Sequence, residues 1–357
     1  MTLVEMNEYK PKINLRKSFL FIALIIVLMA LAGWLLGREN FYQMFEVLRG
    51  TRHSFVGLAI GIYFFSVVIW TIRWHIALSS SVTNSIRKLR ESFATLYMII
   101  CSAIFLNNIT PMARVGGDPF GRVYLLRKLE NVEYSSGMAA SIGEHVFAPL
   151  FVVSFLMAGL FLQFGKDSLR LGYALIAVWA LVTPGMVFLP RLFFQKRVGV
   201  SRISGIINHV LGWFQRRLNL QEIIAGVQIF YSSVYAMIDR RGKGLWIGGL
   251  TLLIWALDIC RLYIVFLALG YHPNLAMLLF ASSVPVIVGL IPFLPGGLLL
   301  VEGSLVSVLT FSGVPLNVAM AVTVIERGIS YVLSSIVGAG IFSYLGFRIA
   351  VKPEMRN

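Results

Sequence analysis

The chain has 357 residues, 58% of them apolar and 13% charged, with a mean hydropathy of +0.81 and a formal charge of +15. These values exclude an ordinary soluble domain and point to an integral membrane protein. Its long apolar runs do not alternate as barrel strands do, and its two cysteines, Cys101 and Cys260, both lie inside such runs, which argues against a disulfide framework or a thiolate metal site.

The first run, Ser18 to Leu36, follows a polar stretch of 17 residues and has no small-residue cleavage site after it, so it reads as a retained helix. A short stripe of Phe41, Met44, Phe45 and Leu48 is expected in the outer interface. Phe55 to Ile72 is the next run long enough, at roughly 20 residues, to cross about 30 Å of hydrocarbon. It is followed by Ser92 to Phe105 and then by the densest motif of the chain. That motif reads Asn107, Asn108, Ile109, Thr110, Pro111, Met112, Ala113, Arg114, Val115, Gly116, Gly117, Asp118, Pro119.

Further apolar runs cover Tyr134 to Gln163, holding Glu144 and His145, and Leu169 to Phe188. Residues 190–243 then form a basic central loop. Its apolar positions recur at helical spacing, first Ile203, Ile206, Ile207, Val210, Leu211 and Phe214, then Ile223, Ile224, Val227, Phe230, Tyr231 and Val234. They predict two amphipathic helices against the cytoplasmic face. Leu245 to Leu269 carries Trp255, Asp258 and Arg261; Ala276 to Phe311 is broken by Pro292, Pro295, Gly296 and Gly297; Leu316 to Leu345 holds Glu326 and Arg327.

Lys and Arg collect in cytoplasmic loops. By that rule the stretch with Lys10, Lys12, Arg16 and Lys17, the block Arg73, Arg87, Lys88 and Arg90, the central loop, and the tail with Arg348, Lys352 and Arg356 are all cytoplasmic. The connections at 165–169, 270–274 and 312–316, with one basic residue between them, are external. Both termini are then cytoplasmic. Parity makes the segment near Ser92 to Phe105 enter and return from the cytoplasmic side, and Ala276 to Phe311 do so from outside; the alternative is that the basic motif around Arg114 is an ordinary cytoplasmic loop. The expected fold is all-α and polytopic, with about six full spans plus two re-entrant hairpins of opposite topology. Irregular backbone at membrane depth must be enclosed by protein or line a cavity, so the hairpins mark the expected working site.

Glu144 follows Gly117 by 27 residues and Glu326 follows Gly297 by 29. The helix before each hairpin carries a Trp and an Arg. Each half therefore reads as helix, hairpin, glutamate helix, giving an inverted repeat of 55–164 and 245–345 within one membrane domain. Glu144 lies about 15 Å into its helix and Glu326 a similar distance into its own, so both approach the midplane.

Asp118 before Pro119 suits the N-cap and first turn of a helix running to about Lys128, with Gly116 and Gly117 allowing a close approach before it. Arg114 and Arg122 then stand near a helix start, a setting for a phosphate or another headgroup anion; the bland alternative is that Asp118 and the arginines only anchor the hairpin. Pro295, Gly296, Gly297 and Glu302 form either a second functional turn or a plain one. Asp258 and Arg261 pair at i and i+3, whereas Glu144 and Glu326 have no local partner beyond His145 and Arg327 and are expected to line a substrate path. The five histidines never fall at metal-ligand spacing, and no cofactor or catalytic constellation is evident. The charge of +15 points to anionic membrane lipid, or to topology signalling alone, and not to nucleic acid.

At these residues the chain resembles the flippase-like transmembrane domain of lysylphosphatidylglycerol synthetase/flippase proteins and their stand-alone bacterial and archaeal relatives. The carriers are Asn107, Asn108, Thr110, Pro111, Arg114, Gly116, Gly117, Asp118 and Arg122, then Pro295, Gly296, Gly297 and Glu302, then Glu326 and Arg327. The resemblance implies movement between leaflets of a lipid with an anionic or aminoacylated headgroup, or of a polyprenyl-phosphate-linked sugar. It departs from the family at His145, where an Arg is common, and at Leu298 to Leu300, where a further glycine is common. Rival readings are a membrane transferase on a lipid phosphate, with Asp118 or Glu144 as base or metal ligand, and a scaffold that binds a partner synthase through the central loop. Self-association is a further possibility.

Overall fold

The computed structural model describes residues 38–79, 93–110, 116–165, 169–193, 234, 241–290 and 297–351. The first apolar run, the basic segment 80–92, residues 111–115 with Pro111 and Arg114, nearly all of the central loop, Pro295 and Gly296, and the C-terminal tail lie outside them. Every regular element among the described residues is a helix. In chain order these are α1 Arg38–Arg49, α2 His53–Leu78, α3 Phe93–Ile109, α4 Arg122–Glu130, α5 Tyr134–Gly143, α6 Ala148–Leu160, α7 Leu169–Phe193, α8 Arg241–Ala268, α9 Leu275–Val288, α10 Leu300–Phe311, α11 Leu316–Arg327 and α12 Ser334–Val351.

Among the described residues four helical stretches are long and apolar enough to cross a membrane: His53–Leu78, Tyr134–Phe164, Gly242–Ala268 and Leu316–Ala350. The second joins α5 and α6 through a break, and the fourth joins α11 and α12 through a widened turn at Gly328–Leu333. Four shorter apolar helices accompany them. Among these α3 has 17 residues, α9 has 14 and α10 has 12, and α9 and α10 pack on one another. At 1.5 Å per residue, α9 and α10 reach only about 21 and 18 Å, less than a hydrocarbon core of about 30 Å.

The helices α2 and α8 run along each other through the centre. Ala59, Trp74, Ala77, Leu78, Leu96, Ile99 and Ile100 are buried there with Ile247, Val265 and Phe266. Aromatic and aliphatic side chains such as Tyr173, Leu181, Leu245, Trp246, Ile336 and Phe347 are exposed on the outside of the helices, as expected of a membrane protein. The helices α3 and α12 cross closely at Gly338, where a Cβ would stand 2.5 Å from the Cys101 carbonyl oxygen. The stripe on α1 faces two ways: Met44 is buried against Met320 and Ala321 of α11, while Phe41 and Phe45 remain exposed.

Candidate functional site

The site is assembled from three stretches of chain. On α2, Trp70, Arg73 and Trp74 share one face through their i, i+3, i+4 spacing. Arg73 does not belong to an exposed cytoplasmic block: α2 continues to Leu78, and the residue is 4% exposed. The second stretch is the glycine turn. Asn107, near the end of α3, accepts hydrogen bonds at Oδ1 from the amides of Gly117 at 2.8 Å and Asp118 at 3.0 Å. A Cβ on Gly117 would stand 1.9 Å from the Ala103 carbonyl oxygen, so only glycine lets the turn lie against α3.

The third stretch is the break between α5 and α6. Pro149, in the first turn of α6, has no N–H for the His145 carbonyl, which instead accepts from the Ala148 amide at 3.0 Å. The chain tightens there, with the His145 amide on Ile142 and the Val146 amide on Gly143. The span is thus discontinuous at Glu144.

Glu144 is wholly buried. Its Oε1 accepts from Arg122 Nη1 at 2.6 Å and from Trp70 Nε1 at 3.0 Å; its Oε2 accepts from Arg73 Nε at 3.3 Å. Arg73 Nη1 donates onward to Thr251 of α8 at 3.1 Å. Arg122 Nη1 also lies 2.9 Å from Asp118 Oδ2, which His145 Nε2 approaches at 2.9 Å. The guanidinium of Arg122 stacks 4.1 Å above the Trp74 ring, with Trp70 at 5.4 Å. Asp118 has the extended backbone of an N-cap residue, φ −124° and ψ 114°, yet its carboxylate takes the side chains of Arg122 and His145, and regular α4 begins only at Arg122.

Removing each ion from water costs several kcal/mol even after relaxation, so two arginines and two carboxylates persist here only because each has an opposite charge at contact distance. Asp118, Glu144 and His145 each offer a ligand atom within 4.8 Å of the others. Arg122 Nη1 already holds one oxygen of each carboxylate, so the arginine itself supplies counter-charge there.

A second cluster lies toward the other end of α2. Arg261 of α8 donates through Nε to Glu326 Oε2 at 3.2 Å and through Nη2 to Glu326 Oε1, and its Nη1 is 3.1 Å from Asp258 Oδ1. It stacks 5.2 Å from the ring of Tyr63. Arg327 does not serve Glu326: its Nε donates to Glu302 at 2.6 Å, beside the Tyr331 ring at 5.0 Å. Tyr331 in turn donates to the Asn108 carbonyl at 2.9 Å, and Asn108 Nδ2 to Ser335 Oγ at 2.8 Å, tying α3 to α12. Gly297 takes φ +69° in the turn before α10, and Leu299, in the stretch where the family often has a glycine, takes φ +65°.

Asn107, Gly117, Asp118, Arg122 and Glu144 are thus brought together. Asn108, Glu302 and Arg327 meet around Tyr331, and Glu326 stands with Arg261. Gly116 lies in the same glycine turn. The partners that sequence reasoning missed are Trp70, Arg73, Trp74 and Tyr63. A Trp and Arg three apart inside an apolar helix was the available signal for the first two.

These features define an all-α membrane protein with charged side chains paired inside its helices. The chain belongs to the lysylphosphatidylglycerol synthase TM region family, whose model matches residues 20–338. It is similar to a UPF0104 membrane protein of Methanothermobacter thermautotrophicus, 30% identical over 351 residues and 92% of each chain, and to one of Pyrococcus horikoshii, 23% identical over 90% of this chain and 95% of that one. It is also similar to the glycosyltransferase AglD of Haloferax volcanii, 24% identical over 97% of this chain and 57% of that protein. No solved structure matches.

Proposed function

We propose that the protein is a lipid translocator of a prokaryotic cell membrane, carrying a lipid with a phosphate-containing or aminoacylated headgroup between leaflets. The observation that carries this reading is the charged cluster of Glu144, Arg122, Arg73 and Asp118, buried at a break in a membrane-length helix, with the half-exposed His145 beside it. Discontinuous helices with buried charge mark midplane sites in transporters, and the family match supports lipid as the cargo. In this reading α3 with the glycine turn, and α9 with α10, are two re-entrant hairpins of opposite topology. The units 55–164 and 245–345 are an inverted repeat, residues 190–243 lie on the cytoplasmic face, and both termini are cytoplasmic. Asn107, Asn108, Arg114, Arg122, Glu144, Glu302, Glu326 and Arg327 line or brace the lipid path, and Pro111, Gly116, Gly117, Asp118, Pro295, Gly296 and Gly297 shape its turns.

The test is leaflet exchange in proteoliposomes with labelled phosphatidylglycerol, aminoacyl-phosphatidylglycerol and polyprenyl phosphate, for the unmodified chain beside Glu144→Gln. Exchange of one lipid class, reduced at least tenfold by the substitution, supports translocation; no exchange by folded protein removes it. A transferase is the second reading, favoured by the three ligand-capable side chains within 4.8 Å and by the relative named a glycosyltransferase. The rest of that relative lies outside the match, so its name does not pass to the shared part. Metal-dependent turnover of a polyprenyl phosphate by this chain alone is the result that selects the transferase.

A further inference from the structure

Arg122 uses only one corner of its guanidinium. Nη1 meets both Glu144 and Asp118, while Nε and Nη2 have no hydrogen-bond partner although both are buried. Stacking on Trp74 occupies the face of the group, not its edge. The in-plane N–H bonds of Nε and Nη2 are parallel and form the fork that matches two oxygens of a carboxylate or phosphate. Asp118 Oδ1 is also buried without a donor. The carboxylates and the two indoles therefore hold the guanidinium fixed and leave its bidentate edge unused. Buried polar groups are paired in the large majority of cases, and such an orphan calls for a partner from outside the chain, a water or a ligand.

We infer that the Nε/Nη2 edge of Arg122 is a binding site for a singly charged phosphodiester, held side-on by two hydrogen bonds. Arg73 and Arg122 against Glu144 and Asp118 sum to zero, so a doubly charged phosphate monoester would leave more uncompensated charge in the cluster than a singly charged diester. Trp70 and the half-exposed His145 stand at the accessible side of the cluster and give the diester its approach. The inference deepens the translocator reading, on which it rests only for a lipid as the source of the phosphate.

The experiment is titration calorimetry on purified full-length protein in detergent. The probes are dihexanoyl phosphatidylglycerol, dihexanoylglycerol as its phosphate-free match, dimethyl phosphate and inorganic phosphate. Saturable binding of dihexanoyl phosphatidylglycerol, at least tenfold tighter than the neutral match and weakened at least tenfold by Arg122→Lys, is expected. Lysine keeps the charge and removes the fork. Equal affinity for the diester and its neutral match, or an Arg122→Lys protein that binds as before, overturns the site.

Dimethyl phosphate binding as tightly as the lipid assigns the site to soluble diesters and still supports it; a preference for inorganic phosphate over both diesters contradicts the charge argument and overturns it. If Arg122→Lys does not fold, Asp118→Asn carries the test. Deleting that negative charge beside the fork is expected to tighten diester binding severalfold, and unchanged or weaker binding overturns the site. Diester binding without leaflet exchange leaves this site standing and removes the translocator, whereas exchange that ignores the phosphate does the reverse.

Discussion

Glu144 accepts a hydrogen bond from Arg73, 71 residues earlier in the chain, as Glu326 accepts from Arg261, 65 residues earlier. In both cases the acid stands where its helix departs from regular geometry, at the break before α6 and at the widened turn after α11. Each pair lies inside one of the two proposed repeat units, and α2 and α8, which supply the arginines, pack along each other.

Neutralising Glu144 leaves Arg73 and Arg122 without their shared counter-charge. Breaking a buried pair by removing one partner costs about 3–5 kcal/mol. Glu144→Gln is therefore expected to lower the melting temperature of the purified protein by several degrees as well as to reduce lipid exchange. An unchanged melting curve argues that the cluster is hydrated and not a structural pair.

For Arg261 and Glu326 a double-mutant cycle is the sharper measurement. Arg261→Met and Glu326→Met are each expected to destabilise by about 3–5 kcal/mol, and the double substitution by much less, because apolar replacement of both partners of a buried pair is often neutral. Additive losses contradict direct pairing.

Gly117→Ala places a Cβ 1.9 Å from backbone oxygen that cannot move without unwinding α3. It is expected to prevent folding or abolish exchange. Gly57→Ala in α2, where nothing lies within 4 Å, is the control and gains up to about 1 kcal/mol of helix propensity. Equal behaviour of the two variants in expression and exchange assays argues against the close turn.

Leu299 holds φ +65°, a region costly for any side chain. Leu299→Gly is expected to be neutral or stabilising by up to about 1 kcal/mol in thermal unfolding. A loss above that means the leucine's packing outweighs its backbone cost.

If the hairpins oppose one another, single cysteines introduced near Gly117 and near Leu298 in a chain lacking Cys101 and Cys260 label from opposite faces of sealed vesicles. Labelling from the same face removes the inverted arrangement.

The membrane class, the helical fold and most of the long spans were legible because apolar runs and period depend on local composition alone. So was the clustering of Asn107, Gly117, Asp118 and Arg122, which a short motif holds close in the chain and the structure joins by direct contacts. The sequence could not show that Asp118 serves Arg122 and His145 instead of first-turn amides, since capping and pairing residues are the same types. It also misassigned Arg73, because a basic residue at the end of an apolar run looks alike whether it meets water or a carboxylate.

The chain by itself determined which stretches are long and apolar enough to cross hydrocarbon and which polar residues are too costly to lie there without cause. Only the tertiary structure decided their partners. Glu144 with Arg73 and Arg122, Glu326 with Arg261, and Arg327 with Glu302 are set by which helices pack together. A buried charge is satisfied by whatever opposite charge comes within about 3 Å of it, and nothing in linear spacing encodes that distance.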